Sequence, residues 1–279
     1  MILGTESFSV QPLHQPPADD SLFLCFRNGR VLLAQADDAP QMPVYAQVRP
    51  LLPADTTPFE LAHTSHGAIF APSPFAEVPV LACDSLHYAP VSILHTMDDQ
   101  AASVLASAYH LWNWYVANRF CGRCGQPLAP DGAERALRCA GCGRLLFPTI
   151  APAVIVAITH GDHILLAQNA HSEMRHYALI AGYVEVGETL EHAVHREVLE
   201  EVGLRVKDLR YLGDQPWGIS GSLMFAFHAE LDGSPEITLQ QSELADAQWF
   251  SRDTLVAPSA HRVSIAFELI ERFRRGELR

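Results

Sequence analysis

The sequence lacks any long hydrophobic run. No apolar stretch approaches the roughly 18 residues of a membrane-spanning helix, and the longest candidate, residues 150–158, is interrupted by Pro152. The first 15 residues contain no basic segment followed by an apolar core, which a secretory signal peptide requires. We therefore expect a soluble, cytoplasmic protein that does not contact membranes.

Positive charge is also scarce. Lys and Arg together number 19 against 32 Asp and Glu, so the net charge is −13. Such a surface repels phosphate backbones and anionic lipids, which argues against non-specific binding of nucleic acid or membrane. Acidic clusters that bind a divalent metal are compatible with this balance.

The composition shows neither repeats nor low complexity. The 17 Gly and 19 Pro follow no period, and 48% of the residues are hydrophobic against 18% charged, so collagen-like and globally disordered chains are excluded. At roughly 150 residues per domain, 279 residues suggest about two domains.

The first part of the chain is predicted to be β-rich. Up to residue 96, short apolar runs alternate with Pro, Gly and Asp, and we interpret them as strands: SLFLCF, RVLLAQ, VYAQV, GAIFA, VPVLA and APVSIL. Asp98 and Asp99 then open a helix over about 100–118 with apolar residues at helical spacing. The shared LLAQ near residues 33 and 166 suggests that residues 1–96 are a degenerate copy of a later domain.

The second part alternates strands and helices. AVIVAIT and HILLAQ are predicted to form a hairpin, residues 177–186 a strand and loop, and 190–202 a helix. LRYLG, SLMFAFHAEL and ADAQWF are predicted strands, followed by a helix over 264–275. The pattern indicates an α/β (α+β) fold with a mixed sheet between helices. We expect four segments: 1–96, a connecting helix 97–119, a cysteine-rich segment 120–148, and 149–279.

Four of the six cysteines lie within 22 residues, as two C-x-x-C pairs: Cys121, Cys124, Cys139 and Cys142. In a reducing compartment such pairs more often bind a metal ion than form disulfides. Four thiolates fill the tetrahedral sphere of Zn²⁺ and leave no open position. We therefore predict one structural zinc ion per chain.

An acidic helix follows a glycine-containing loop. Glu197, Glu200 and Glu201 share one helix face at positions i, i+3 and i+4, where like charges repel unless cations are bound. Clustered carboxylates favour Mg²⁺ or Mn²⁺, and Mg²⁺ commonly shares its sphere with phosphate. The alternative is a solvated, charged helix face.

The complete spacing decides between these interpretations. Gly182, Glu188, Arg196-Glu197, Glu200-Glu201 and Gly203 stand at every position of the Nudix box, and the segment resembles that family closely. The resemblance implies a Nudix α/β/α sandwich and metal-dependent hydrolysis of a nucleoside diphosphate derivative. It also implies that Arg196 supports the geometry by pairing with box carboxylates such as Glu188. The general base stays open between Glu200 and a later Glu.

A zinc ribbon before a Nudix domain resembles the NADH pyrophosphatase family over nearly the whole chain. The stretch Asp214–Ser222 is similar to that family's SQPWPFPxS signature at Gln215, Pro216, Trp217 and Ser222, but lacks its Pro-Phe-Pro core. The resemblance implies cleavage of NADH or NAD⁺ to NMN(H) and AMP, removal of NAD caps from RNA, and a homodimer. Together with the shared LLAQ, it leads us to expect that residues 1–96 form a β-rich, Nudix-like N-terminal domain.

The same resemblance assigns the site residues. Catalysis is assigned to Arg196, Glu197, Glu200 and Glu201, and the Mg²⁺ or Mn²⁺ ligands to Ala181, Glu197, Glu200, Glu201 and Glu243. Substrate contacts are assigned to Phe147, Tyr183, Gln215, Pro216, Trp217, Gly218, Ile219, Ser220, Gly221, Ser222 and Ala266.

Two other functions are kept as alternatives. The first is a Nudix hydrolase of another substrate, such as ADP-ribose, a dinucleoside polyphosphate or FAD, which the altered 218–221 stretch would favour. The second is a zinc-ribbon binding protein with a silent Nudix domain. The intact set of repelling carboxylates argues against the second alternative.

Overall fold

The computed structural model describes residues 15–35, 40–64, 67–77, 79–81, 83–171, 176–256 and 263–278. The chain forms two compact units. One comprises Gly4–Thr149 with Gly218–Gly221, and the other comprises Ile150–Trp217 with Ser222–Arg279. The finer division into four segments stays a prediction.

Short strands build the beginning of the first unit: β1 Leu22–Phe23, β2 Phe26–Arg27, β3 Arg30–Ala34, β4 Pro58–Thr64, β5 Gly67–Pro72 and β6 Leu86–Pro90. They form two three-stranded sheets, ordered β1-β5-β4 and β2-β3-β6. Phe23, Leu32 and Phe70 belong to the buried core between these elements. Burial of such side chains contributes roughly 1.5–3 kcal/mol each.

Three of the strands predicted in this region are wrong. VYAQV forms a one-turn helix, α1 Tyr45–Val48, followed by the 3₁₀ turn Arg49–Leu51. The Val44 N–H donates to the Gln47 side chain, a local bond that favours the turn over an extended run. APVSIL ends β6 and continues as the 3₁₀ helix Val91–Thr96. In VPVLA, the described part, residues 79–81, lies outside any strand, and Val78 and Ala82 lie outside the described residues.

The long helix is confirmed as α2, Asp99–Ala117. It begins where predicted because the Asp98 carboxylate accepts a hydrogen bond from the Ala101 N–H at 2.8 Å. Three short strands follow, β7 Leu128–Pro130, β8 Leu137–Cys139 and β9 Leu145–Leu146, which pair as one antiparallel sheet. Cys139 ends β8 and Cys142 lies in the turn between β8 and β9, whereas Cys121 and Cys124 precede β7.

The second unit is a mixed sheet with two helices. Its strands are β10 Ala151–His160, β11 His163–Asn169, β12 Ile180–Tyr183, β13 Val206–Trp217, β14 Ser222–Leu231 and β15 Leu244–Ser251. Their order is β13-β14-β10-β11-β15, with β12 also paired to β10. Only β10 and β14 run parallel among these pairs. The helices are α3 Leu190–Val202 and α4 Ile265–Arg274.

Strand β10 divides its side chains between the two helices. Val154, Val156 and Ile158 pack into the core that contains the apolar face of α3. Ile155 and Ala157 pack into the core that contains α4. Because successive strand residues point to opposite faces, one apolar strand serves both cores. The predicted α/β/α sandwich with a mixed sheet is confirmed.

One histidine is buried on the α4 side of the sheet. His228 on β14 is fully buried; its Nδ1 accepts from Arg210 and its Nε2 lies 2.8 Å from the Thr159 hydroxyl. Burial, with a smaller effect of the Arg210 charge, lowers the pKa of His228 from 6.5 to about 4. The imidazole is therefore neutral at neutral pH.

Among the described helices, none is both long enough and apolar enough to cross a lipid bilayer.

Candidate active site

Helix α3 presents the acidic face. It begins at Thr189, whose hydroxyl accepts a hydrogen bond from the His192 N–H, and it ends at Gly203 in the left-handed conformation. Its apolar residues, among them Val194 and Val198, are buried against the sheet. These two caps fix the helix over the span that the sequence predicts.

Glycine 182 lies directly against one of the carboxylates. A Cβ placed on Gly182 would stand 2.0 Å from the Glu197 carboxyl carbon and 2.1 and 2.4 Å from its two oxygens. Strand β12 and helix α3 are therefore in contact through a side chain on one element and bare backbone on the other. The glycine of the motif makes room for the acid.

Arg196 holds the motif together. Its Nε and Nη2 donate to both oxygens of Glu188 at 2.8 and 2.9 Å, and its Nη1 donates to Glu197 at 2.7 Å and to Glu200 at 3.1 Å. Its Nη2 also donates to the Tyr183 carbonyl at 2.9 Å. The guanidinium, with the Glu185 N–H, lowers the pKa of Glu188 to about 2. The pairing with Glu188 implied by the resemblance is present.

Glu201 is buried among other acids. Its backbone carbonyl accepts from the Gln240 N–H, which starts the turn that carries Glu243. Burial first, and then the charges of Glu197, Glu243 and Glu200, raise the pKa of Glu201 to about 8. Burial also raises the pKa of Glu197, against the opposing effect of Arg196. Four carboxylates are thus gathered with one arginine among them.

This donor set fits a divalent cation. Burial and mutual repulsion raise the pKa values of Glu197 and Glu201, a bound cation would offset that repulsion, and hard oxygen ligands favour hard ions. Glu243 lies outside the motif, yet it contributes to the electrostatics of both Glu197 and Glu201. Glu200 is the most open of the three motif acids on α3, with 53% of its side chain exposed, whereas Glu197 and Glu201 are buried.

The four ribbon cysteines form a tighter group. Their sulfur atoms all lie within 4.8 Å of one another, and in the described part of the chain no other set of three or more His, Cys, Asp or Glu donors converges so closely. The Arg123 and Cys124 amides lower the pKa of Cys121 to about 6. Amides that stabilise thiolates within such a compact group of four sulfur atoms suit a structural Zn²⁺.

The stretch Asp214–Ser222, called the QPW segment after Gln215, Pro216 and Trp217, forms the end of a hairpin. Residues 206–217 belong to β13, a tight turn covers 218–221, and β14 begins at Ser222, which pairs with Trp217. Gln215, Trp217 and Ala266 line one cavity of about 180 Å³ in the second unit. The other lining residues are Ile155, His176, Tyr177, Ala178, Met224, Ser264, Ile265, Phe267 and Ile270. The structure therefore brings together three of the substrate residues predicted from the sequence.

The altered part of this segment packs on α2. A Cβ on Gly218 would lie 1.9 Å from the Ala106 carbonyl oxygen, and one on Gly221 would lie 3.2 Å from the His110 ring. His110 in turn contacts the Thr149 carbonyl at 2.8 Å. Glycine at 218, where the family signature has proline, is thus required by the helix backbone.

The remaining predicted substrate residues are distributed over both units. Phe147 and Tyr183 are both about half exposed, at 53% and 52%, and the Tyr183 hydroxyl lies 3.4 Å from that of Ser222. Ala181 pairs with Ile155 on β10 and precedes Gly182 in β12. Their assigned contacts with substrate or metal stay predictions.

Sequence reasoning missed several cavity residues. Ile155, Met224, Tyr177 and Ile270 line the cavity but carry no motif. For Ile155 the signal was its alternation with Val154 and Val156, which places it on the opposite face of β10. The other residues come from distant segments that only the folded sheet brings together.

Comparison with known proteins identifies the family. A family model described as NUDIX domain matches residues 149–273, and one described as NADH pyrophosphatase zinc ribbon domain matches residues 117–147. A Nitrosomonas europaea NUDIX hydrolase structure covers 56% of this chain and 90% of its own, with 21% identity and a TM-score of 0.49. The class defined by the two family models and by the carboxylate-bearing helix is the Nudix hydrolases.

Two curated relatives narrow the class. The NAD-capped RNA hydrolase NudC of Haemophilus influenzae is 40% identical over 194 residues, which cover 67% of this chain and 72% of that protein. The protein of the same name in Salmonella typhimurium is 44% identical over 166 residues, which cover 59% of this chain and 64% of that protein. The chain belongs to the zinc-ribbon Nudix hydrolase family that includes these NudC proteins.

Proposed function

We propose that this protein hydrolyses the diphosphate bond of NADH and NAD⁺, releasing NMN(H) and AMP. The observation that carries the proposal is a single unit that holds both the acidic face of α3 and a largely apolar cavity containing Gln215, Trp217 and Ala266. Such a cavity suits a planar ring, while the acidic face suits a metal-bridged diphosphate. The names of the relatives support the same substrate class.

The proposal extends to NAD-capped RNA, whose cap contains the same phosphoanhydride. Cleavage would release NMN and leave a 5′-monophosphate on the RNA. With a net charge of −13, the chain offers little general attraction for an RNA backbone. The contact with RNA is therefore proposed to be confined to the cap and its first nucleotides.

Mg²⁺ or Mn²⁺ is the proposed catalytic ion, and Zn²⁺ the structural ion of the ribbon. Bound to the carboxylates, the divalent ion would neutralise the diphosphate and lower the pKa of a bound water. Glu197, Glu200, Glu201 and Glu243 would hold it, with the Ala181 carbonyl as a further ligand. We place the enzyme in the cytoplasm as a homodimer.

The roles of the protein groups follow from their surroundings. Arg196 keeps Glu197 and Glu200 in place through its hydrogen bonds, and Glu188 fixes the guanidinium from the other side. We assign to Glu200, the most exposed of the three box acids, the role of accepting a proton from the attacking water. Glu243 is the second candidate for this role, since its charge also reaches the buried acids.

The ring end of the substrate is proposed to enter the cavity beside Trp217. Phe147 and Tyr183 present exposed rings that can stack on a base, and the exchange of Phe for Tyr leaves the π-face intact. Another Nudix substrate, such as ADP-ribose, a dinucleoside polyphosphate or FAD, is the second candidate. The altered 218–221 stretch, which lacks the Pro-Phe-Pro core of the family signature, favours it.

Product analysis tests the proposal. Purified protein with Mg²⁺ is offered NADH, NAD⁺, ADP-ribose, FAD and diadenosine polyphosphates in parallel, and the products are separated by chromatography. The proposal is supported if NADH yields NMNH and AMP with the highest kcat/KM of the panel. A higher kcat/KM on another diphosphate would show that this other compound is the preferred substrate.

A pair of variants separates chemistry from binding. Glu200→Gln should abolish turnover with normal folding and zinc content, while Glu191→Gln, an exposed residue in the first turn of the same helix, should leave the rate unchanged. A Glu200→Gln protein with the wild-type rate would remove the proposed site. Absence of turnover on every substrate would support the silent-domain alternative.

A further inference from the structure

Gln215 stands out within the cavity wall because its side chain is already occupied. The residue lies on β13 and is only 1% exposed. Its Nε2 donates to the Val263 carbonyl at 2.8 Å, and its Oε1 accepts from the Ile265 N–H at 2.7 Å. Both ends of the amide are therefore bonded to backbone that lies 48 and 50 residues further along the chain.

These two bonds flank the start of α4. Ser264 is the N-cap of that helix, and its hydroxyl accepts from the Phe267 N–H at 3.2 Å. The first N–H groups of a helix have no partner inside the helix. Gln215 satisfies the one that belongs to Ile265, and at the same time it ties down the residue before the cap.

The first turn of α4 is one wall of the cavity. Ile265, Ala266 and Phe267 line it from the helix, and Met224 and Ile155 line it from the sheet. Gln215 bonds the two walls to each other. The Gln215 amide therefore joins the two walls at this end of the cavity, in addition to the apolar packing of α4 on the sheet.

We propose that Gln215 is a positioning residue that sets the separation of α4 from the sheet, and that it acts on the ring end of the substrate only through this cavity wall. The inference rests on the proposed function for the identity of the ring. It differs from the expectation drawn from the sequence, in which the residue at this position contacts the substrate. An amide that is buried and bonded at both ends has no exposed polar atom directed at a ligand.

Two substitutions separate positioning from contact. Gln215→Met keeps a similar volume and removes both backbone bonds. Gln215→Glu keeps the acceptor for the Ile265 N–H but replaces the donor to the Val263 carbonyl with a group that donates only when protonated. Two other titratable residues, His176 and Tyr177, line the cavity and are present in both proteins. Dividing the KM of the variant by that of the wild type at each pH therefore removes their contribution.

The positioning role predicts a selective loss of binding. We expect Gln215→Met to raise the KM for NADH about tenfold while kcat stays within about twofold. For Gln215→Glu, the ratio of its KM to that of the wild type should fall as the pH is lowered from 8 to 6, because burial at this position raises the pKa of the introduced carboxyl and its protonated form restores the donor. Leu269→Ala, which removes a core side chain of α4 outside the cavity, is the control: it should lower the Tm without changing the KM.

A second readout does not depend on activity. Amide hydrogen exchange over residues 263–267 should accelerate in Gln215→Met, because the Ile265 N–H loses its acceptor. If the wild type fails to cleave NADH, the proposed function is wrong. Amide hydrogen exchange then still tests whether the two Gln215 hydrogen bonds hold the start of α4. The inference would be overturned if residues 263–267 of the Gln215→Met protein exchanged at the wild-type rate. It would also be overturned if the KM for NADH were unchanged, or if kcat fell by as large a factor as KM rises.

Discussion

Substitution of Gly182 by alanine isolates the contact between β12 and the acidic helix. The φ angle of Gly182 lies outside the left-handed region, so the backbone accepts alanine without strain. The added methyl would lie 2.0 Å from the Glu197 carboxyl carbon. An ordinary contact requires roughly 3.5–4.0 Å, so the carboxylate has to move by about 1.5 Å or more.

The movement has a calculable effect on catalysis. It would break the 2.7 Å bond from Arg196 to Glu197 and displace a proposed metal ligand. A misplacement of about 1 Å in an active site costs on the order of 100-fold in rate. We therefore expect kcat/KM for NADH to fall about 100-fold, which corresponds to about 2.7 kcal/mol of transition-state stabilisation.

The measurement compares kcat/KM and Tm for the Gly182→Ala protein with a matched control. Gly132→Ala is the control, because an added methyl there meets no atom within 4 Å and its φ is ordinary. The control should match the wild type in both quantities. A Gly182→Ala protein within threefold of the wild-type kcat/KM would refute the argument that this glycine makes room for Glu197.

Three further perturbations have expected outcomes. Arg196→Lys removes the bidentate hold on Glu188, and steady-state kinetics with varied Mg²⁺ should show a loss of about 10- to 100-fold in activity or metal affinity. Wild-type metal dependence in that variant would contradict the role of the guanidinium. Cys139→Ser should lower the zinc content measured by elemental analysis below one per chain and lower the Tm, since structural zinc contributes directly to folding; full zinc occupancy would exclude this ligand. His228→Gln should remove a pH dependence of unfolding: because the folded pKa is about 4 against 6.5 unfolded, wild-type stability falls by about 3 kcal/mol as the pH drops from 6.5 to 4. If the free energy of unfolding fell equally in wild type and variant between pH 6.5 and 4, His228 would not be the group responsible.

The sequence predicted α3 correctly because its signals are local. Thr189 and Gly203 mark the two ends, and the acids between them follow helical spacing. The strand predicted for VYAQV was wrong because five residues are too few to distinguish a strand from one turn of helix. The strand β4 was missed because a bulge between Glu60 and Ala62 breaks its alternation.

The non-local part of the site was beyond sequence reasoning of this kind. Nothing near Gln215 indicates that its amide bonds to Val263 and Ile265, since those partners lie about 50 residues away. Glu243 could be assigned only through the family resemblance, because a single Glu in a turn carries no pattern of its own. Spacing identified the acids on the helix, whereas the fold was needed to show the surroundings of each acid.

The contact between Gly218 and α2 limits how this chain can change by mutation. The obstacle to a larger residue at 218 is the backbone carbonyl of Ala106, so no substitution of the Ala106 side chain would remove it. We therefore expect that a single substitution of Gly218 by the proline of the family signature is not tolerated unless the backbone of α2 shifts first. Transplanting that signature into the chain should fail unless α2 is transplanted with it, which makes the order of mutations as important as their identity.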